Sequence, residues 1–230
     1  PAANGYPNVP RFYNEDALAG WKKVVDAVHA EGGRIVPQLW HVGNVRKLGT
    51  EPDGDVPGYG PMEKLKDGKE VVHGMTQADI DNVIAAFAQA ARDAQAIGMD
   101  GVEIHGAHGY LVDQFFWEGS NQRTDGYGGS VAARASMPAE VVRAVRAAVG
   151  PDFPIVYRYS QWKSGNFSAA LATTPSELSE VLGPLVDAGV DVFHVSTRRH
   201  WLPGFPDAAD GHPVKGLAGW TKELTCRPVI

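Results

Sequence analysis

The chain has 230 residues, of which 43% are hydrophobic and 21% are charged. This composition is typical of a globular protein with room for one large core or two small ones. The formal net charge of −6 argues against nucleic acid and anionic membranes as partners, because both attract basic surfaces. No uncharged run approaches the ~20 residues of a membrane-spanning helix.

The single cysteine and the two ends bear on cellular location and completeness. Cys226 cannot form a disulfide within the chain and fits a reducing compartment, so the cytoplasm is the expected location. The sequence begins with Pro1 rather than Met, and residues 228–230 are typical of a strand being entered. We therefore expect both ends to be cut from a longer protein.

The first predicted helix begins at Asn14, a candidate N-cap, and continues at helical spacing until Gly32 and Gly33 end it. Residues 34–40, RIVPQLW, are a short apolar run typical of a strand. Residues 42–75 hold many glycines and prolines and no convincing element. A loop of that length is usually a lid or binding loop, so we expect it at the active site.

The same helix-then-strand unit follows directly. Thr76 and Asp79 form a capping box at the start of an alanine-rich helix that runs to Gly98. Residues 101–105, GVEIH, then predict a strand that is buried on both faces.

Two more units complete the pattern. A helix at residues 139–149 precedes the strand PIVYRYS at 154–160, and a helix at 175–188 precedes VDVFHVS at 190–196. An interior proline costs about 3 kcal/mol or more, so the first of these helices either begins near Pro138 or is kinked there.

Alternating helices and buried-type strands predict a parallel α/β fold. Each predicted strand ends in polar side chains: Gln38 and His41, then His105, then Arg158 and Ser160, then His194 and Ser196. The active site of a (β/α)8 TIM barrel lies at these carboxyl ends. A doubly wound sheet fits less well, because no GxGxxG fingerprint follows a strand. We therefore predict part of a barrel, with a fifth strand beginning at residues 228–230.

The sequence HGAHGY at residues 105–110 carries two imidazoles and a phenol directly behind a predicted strand. Three interpretations are open: a metal site, two hydrogen-bond donors with an acid, or ordinary loop polarity. Glu103 alternates with His105 along the strand and can join a metal site, although such sites take three or four protein ligands. Gly106 and Gly109 permit a sharp backbone path that turns both rings toward one point.

Several stretches resemble one known family in the same order along the chain. These are RIVPQLWHVG, GVEIHGAHGYLVDQFFWEGSNQRTDGYGGS at residues 101–130, YRYSQW and LAGWTKELT. They are similar to the old yellow enzymes, the flavin-dependent ene-reductases and NAD(P)H:flavin oxidoreductases. The resemblance implies an FMN-binding TIM barrel of which residues 1–230 cover about strands 3 to 7.

The resemblance also implies roles for the HGAHGY residues. His105 and His108 would donate hydrogen bonds to the substrate oxygen on which charge develops, and Tyr110 would supply a proton as general acid. Gln38 would contact the pyrimidine edge of FMN, and Arg158 would lie beside its N1 and C2 carbonyl. For Arg158, the alternative is a salt bridge to a neighbouring strand, for example to Glu103.

Two tryptophans are candidates for the substrate pocket. Trp40 and Trp117 are expected to line the substrate pocket, although tryptophans at such positions also belong to cores. We expect Arg123 and its neighbours to brace a loop rather than take part in chemistry.

The resemblance implies an FMN-dependent oxidoreductase that passes hydride from NAD(P)H to an α,β-unsaturated carbonyl or nitro compound. No metal is expected, and a homo-oligomer is compatible with the sequence. The alternative is a truncated barrel fragment that binds no flavin and has no catalytic activity.

Overall fold

A computed structural model describes residues 2–206 and 215–230. In these residues the α-helices are α1 (Glu15–Ala30), α2 (Gln77–Ala96), α3 (Leu111–Phe116), α4 (Val131–Arg134), α5 (Ser136–Val149), α6 (Pro175–Ala188) and α7 (Leu217–Thr225). The strands are β1 (Gln38–Leu39), β2 (Gly58–Gly60), β3 (Lys64–Lys66), β4 (Lys69–Gly74), β5 (Val102–His108), β6 (Ile155–Lys163) and β7 (Val192–Ser196). A short 3-10 helix, Gly43–Val45, follows β1.

The main sheet is parallel and has the order β1-β5-β6-β7. Its strands stand beside one another in the order in which the chain makes them. A doubly wound sheet reverses its order at a switch point, whereas a barrel does not. Residues 228–230 continue the sheet, since the Ile230 amide donates to Phe193 O at 2.9 Å. The predicted beginning of a fifth strand is confirmed.

The capping residues explain where the helices begin. The Asn14 side chain accepts from the Ala17 amide at 3.0 Å. Thr76 and Asp79 form the predicted capping box at α2. Pro138 lies in the first turn of α5, where its missing amide is tolerated, so the first of the two alternatives for this helix is confirmed.

The core lies between the main sheet and its helices. Val102 and Ile104 of β5 are fully buried in it, together with apolar residues of α2, α5 and α6. Side chains alternate across a strand, so Glu103 and His105 face the opposite side, the inside of the barrel. This alternation separates the residues that hold the fold from those available for chemistry.

The segment 42–75 differs from the expectation, because it is not a structureless loop. It contains the 3-10 helix and a small sheet of order β2-β4-β3. The buried guanidinium of Arg46 organises it by donating to the carbonyls of Val56 at 3.0 Å and Thr50 at 2.7 Å. Arg123 ties the sheet to the barrel by donating to Pro61 O at 3.0 Å. The position of segment 42–75 at the active site stays a prediction.

Candidate functional site

The register of the main sheet sets three side chains in one row. His105 of β5 pairs with Arg158 of β6, and Arg158 pairs with His194 of β7. Paired residues of parallel strands face the same side, so two imidazoles and a guanidinium line the inside of the barrel wall.

The chain turns sharply at the end of β5. His108 has a φ of 63° and Gly109 a φ of 81°, both in the left-handed region. Gly109 therefore has the role predicted for it, but Gly106 has another. A Cβ on Gly106 would lie 2.1 Å from the hydroxyl of Tyr157, so this glycine makes room for the Tyr157 side chain rather than for a turn.

A buried ion pair braces this turn. Asp113 accepts from the Gly109 amide at 2.7 Å and from Lys163 Nζ at 2.7 Å. The side chains of Asp113 and Lys163 are 0% and 2% exposed. The Ser164 amide also donates to His108 O at 2.9 Å. The end of β6 thus fixes the backbone that carries the second histidine.

Aromatic rings pack into one cluster at this end of the sheet. The ring centroids of His105 and His108 are 5.2 Å apart, and Tyr110 lies 5.3 Å from His105. Trp40 meets Tyr110 edge-on at 4.9 Å, and Trp162 stacks on His108 at 4.4 Å. The structure therefore brings together the three residues predicted as catalytic and Trp40.

Both histidines of the cluster are neutral at pH 7. Burial lowers the pKa of His105 to about 3, and the nearby His108, Arg158 and His194 act in the same direction. Burial and the charge of Arg158 lower the pKa of His108 to about 4. A neutral imidazole carries one N–H. The Ser196 hydroxyl lies 2.7 Å from His108 Nε2, and this hydrogen bond helps to hold the ring in place.

Tyr110 keeps its proton over a wide range of pH. Burial raises its pKa to about 12, and the hydrogen bond with Tyr6 acts in the same direction. A phenol that stays protonated beside two neutral imidazoles is available as a proton donor at neutral pH.

Gln38 belongs to a short polar network on the inner face. Its Nε2 donates to Glu103, and Glu103 Oε2 accepts from His194 Nδ1 at 2.6 Å. An ionised carboxylate only accepts, so the Gln38 amide must turn its NH2 group toward Glu103. The amide oxygen of the exposed Gln38 side chain is then left for another hydrogen-bond donor.

Arg158 does not form the salt bridge to Glu103 that was the alternative to a role in flavin binding. Glu103 is engaged by Gln38 and His194 instead. Arg158 Nε is buried and has no hydrogen-bond partner among the described residues, and neither has His105 Nδ1. A buried polar atom without a partner is costly, so both atoms mark a place where a polar ligand fits.

Trp117 does not join the cluster. It is the C-cap of α3, and its ring lies over Gly119. Trp162, from the strand after the histidine pair, takes the position beside His108 instead.

Sequence reasoning also missed Tyr6, Asp113 and Lys163. Lys163 ends a strand, which is the signal that identified the other polar residues. Tyr6 gives no comparable local signal.

Two further findings concern metal sites and membrane-spanning helices. Within residues 2–206 and 215–230, no three His, Cys, Asp or Glu side chains come together in an arrangement that can hold a metal ion. None of the helices in this part of the chain has both the length and the apolar character needed to cross a membrane.

Parallel strands in chain order, with polar side chains at their carboxyl ends, define a segment of a (β/α)8 barrel enzyme. The profile of the NADH:flavin oxidoreductase / NADH oxidase family matches residues 1–198, and the chain belongs to this family. The predicted resemblance to old yellow enzymes is thereby confirmed.

Individual proteins agree with this assignment. The chain is 36% identical to the NADP-dependent oxidoreductase lnbE of Aspergillus flavus over 228 residues, 96% of this chain and 59% of lnbE. Morphinone reductase in complex with tetrahydroNAD matches with a TM-score of 0.74 and 33% identity, over 85% of this chain and 57% of that chain. The Old Yellow Enzyme from Pichia sp. AKU4542 matches with a TM-score of 0.73 and 28% identity, over 86% of this chain and 56% of that chain. The chain thus spans less than two thirds of each relative.

Proposed function

We propose that this chain carries the substrate site of an FMN-dependent oxidoreductase that reduces the activated C=C bond of α,β-unsaturated carbonyl or nitro compounds. One observation carries the proposal: two neutral imidazoles, 5.2 Å apart, lie beside a protonated phenol at the carboxyl ends of the strands. Metal-dependent hydrolysis would need a set of metal ligands instead.

The residues on the inner face fit FMN. The buried Nε of Arg158 lacks a partner and suits an electron-rich carbonyl of the flavin ring. Gln38, held by Glu103 through its NH2 group, offers its amide oxygen to an N–H of the same ring. When bound, FMN would supply the hydride that it receives from NAD(P)H.

The histidine pair suits the oxygen of the substrate. Negative charge develops on a carbonyl or nitro oxygen when hydride adds to the β-carbon of the alkene. Neutral N–H donors held in fixed positions stabilise that oxygen, each by roughly 2.7–4 kcal/mol. The lowered pKa values of His105 and His108 keep them as neutral donors rather than cations at working pH.

Tyr110 suits the second half of the reduction. Its hydroxyl would give a proton to the α-carbon, so that a C–H bond forms as the O–H bond breaks. Its ring contacts Trp40 and His105, which places the phenol beside the donor pair.

The competing hypothesis is a barrel fragment that binds no flavin. The main sheet has β1 at one edge and residues 228–230 at the other, and such edges promote association. We expect the 230-residue chain by itself to bind FMN poorly and to associate. A version extended to the length of its relatives should bind FMN and reduce enones with NAD(P)H.

Titrating FMN into both versions tests the proposal, with flavin absorbance for binding and light scattering for association. A folded, extended version that stays colourless in excess FMN would contradict the proposed function. Tight stoichiometric binding by a monodisperse 230-residue chain would contradict only the expectation about its edges.

Location and assembly remain proposals as well. Cys226 is exposed and free, which is compatible with the cytoplasm that we propose. We further propose a homo-oligomer for the extended protein, which size-exclusion chromatography with light scattering tests.

A further inference from the structure

A second phenol reaches Tyr110 from the N-terminal segment. The hydroxyl oxygens of Tyr6 and Tyr110 are 3.1 Å apart. Within the described residues, Tyr6 provides the only hydrogen-bond partner of the Tyr110 hydroxyl. Tyr6 is 38% exposed, whereas Tyr110 is half-buried. The pair therefore connects solvent to the inside of the aromatic cluster.

The position of Tyr6 is well defined by its surroundings. Its ring stacks on Trp40 with centroids 5.5 Å apart and planes 19° apart. Ala3 O accepts from the Val42 amide at 3.1 Å, and Arg46 donates to Asn4 O. These contacts attach the segment before Tyr6 to the segment after β1.

We propose that Tyr6 is a positioning residue that holds the hydroxyl of Tyr110 and returns a proton to it from solvent after each turnover. This inference rests on the proposed function. It goes further by naming the route by which the general acid is reprotonated. No other described group forms a hydrogen bond with the Tyr110 hydroxyl, so without Tyr6 the phenol must exchange its proton directly with water at a half-buried position.

The proton steps balance. Tyr110 gives its proton to the α-carbon of the substrate and is left as a phenolate, which Tyr6 protonates through the existing hydrogen bond. Tyr6 then takes a proton from water. The hydride carries both electrons of the reduction, so the relay moves protons only.

The test is Tyr6→Phe in the extended, FMN-loaded protein, because this change removes one oxygen and keeps the ring on Trp40. We expect flavin reduction by NAD(P)H to continue unchanged. Reduction of weakly activated enones should slow by about 10-fold, part of the 10²- to 10⁴-fold effect of general acid catalysis. Nitroalkenes, whose reduced products can be protonated in solution, should be affected less. The matched control is Tyr13→Phe, since Tyr13 is an exposed tyrosine of the same segment.

Two further readouts separate a relay from simple packing. In a single turnover of the pre-reduced enzyme with an enone, Tyr6→Phe should lose less rate than in multiple turnovers, because Tyr110 begins the single turnover protonated and needs the relay only afterwards. A pH titration of 13C-labelled tyrosine should show a lower pKa for Tyr110 in the variant, because the hydrogen bond between the two hydroxyls stabilises the neutral phenol of Tyr110 and contributes to raising its pKa.

The outcomes are distinguishable. An unchanged enone rate in Tyr6→Phe would overturn the relay while leaving the proposed function intact, as would equal losses on enones and nitroalkenes. If the parent protein and a Tyr110→Phe variant both fail to reduce any alkene, the proposed function is wrong and the relay falls with it.

Discussion

Histidines in two regions of this molecule lie in opposite electrostatic environments. His105 and His108 at the end of β5 are surrounded by aromatic rings, Arg158 and Lys163, and their pKa values are lowered. His73 in β4 lies between two carboxylates, with Nδ1 3.0 Å from Glu70 and Nε2 3.1 Å from Asp79. The first environment selects the neutral ring and the second selects the cation.

The pKa of His73 is raised although burial alone would lower it. Hydrogen bonds to Glu70 and Asp79, and the negative charges of both groups, outweigh the burial. Asp79 shows the reverse: burial would raise its pKa, but Thr76 and His73 lower it. Histidine as a residue type therefore says little about function, because the charge of its neighbours decides which form the fold stabilises.

The largest expected effect concerns the ion pair of Asp113 and Lys163, which braces the turn after β5 in the first region. Asp113→Ala leaves the ammonium of Lys163 buried without its partner, so we expect a loss of about 3–5 kcal/mol in the free energy of unfolding. Urea unfolding measures it. In the double variant Asp113→Leu with Lys163→Met, most of that stability should return. Additive losses would show that the ion pair does not act as a unit.

Removal of either histidine of the pair comes next. His105→Ala or His108→Ala should slow alkene reduction by roughly 10²- to 10³-fold while FMN content is retained. Steady-state kinetics and flavin absorbance measure the two quantities. His200→Ala is the control, because His200 is exposed and outside the cluster. Loss of FMN together with activity would place these residues in cofactor binding instead.

The pH dependence of stability follows from the same pair, with a smaller effect. A lowered folded-state pKa means that the unfolded chain binds more protons below pH 6.5, so stability falls as the pH falls from 6.5 toward 3. Between pH 7 and pH 5 we expect His105 to account for a loss of about 1–2 kcal/mol. Urea unfolding of the parent protein and of His105→Phe at both pH values tests this. Parallel profiles would contradict it.

The smallest effect belongs to His73 and has the opposite sign. Its raised pKa contributes stability that is fully present below pH 6.5 and is lost as the pH rises through the folded-state pKa. We expect His73→Phe to cost less than about 1 kcal/mol, because the pair with Glu70 is partly exposed. The cost should be greater at pH 6 than at pH 9, as thermal unfolding at the two pH values would measure. A greater loss of stability at pH 9 than at pH 6 would contradict this prediction.

In the first region, the sequence predicts the histidine motif far better than the contacts that hold it in place. His105, His108 and Tyr110 lie within six consecutive positions, so a local motif reveals them. The contacts of Glu103 with His194 and of Asp113 with Lys163 join residues 91 and 50 positions apart, and only the register of the sheet brings them together. Segment 42–75 differs from its prediction for another reason. Arg46 holds it through carbonyl groups, which leave no mark in the side-chain pattern.

The spacing of the two histidines has a consequence for anyone who would transplant the pair. In a regular strand, residues three apart face opposite sides, since side chains alternate with a period of two. The rings of His105 and His108 nevertheless lie together, because the pairing of β5 with β6 shifts after Gly106 and His108 adopts a left-handed backbone. An odd spacing therefore works only in an irregular strand. On an ideal sheet the same pair would need an even separation.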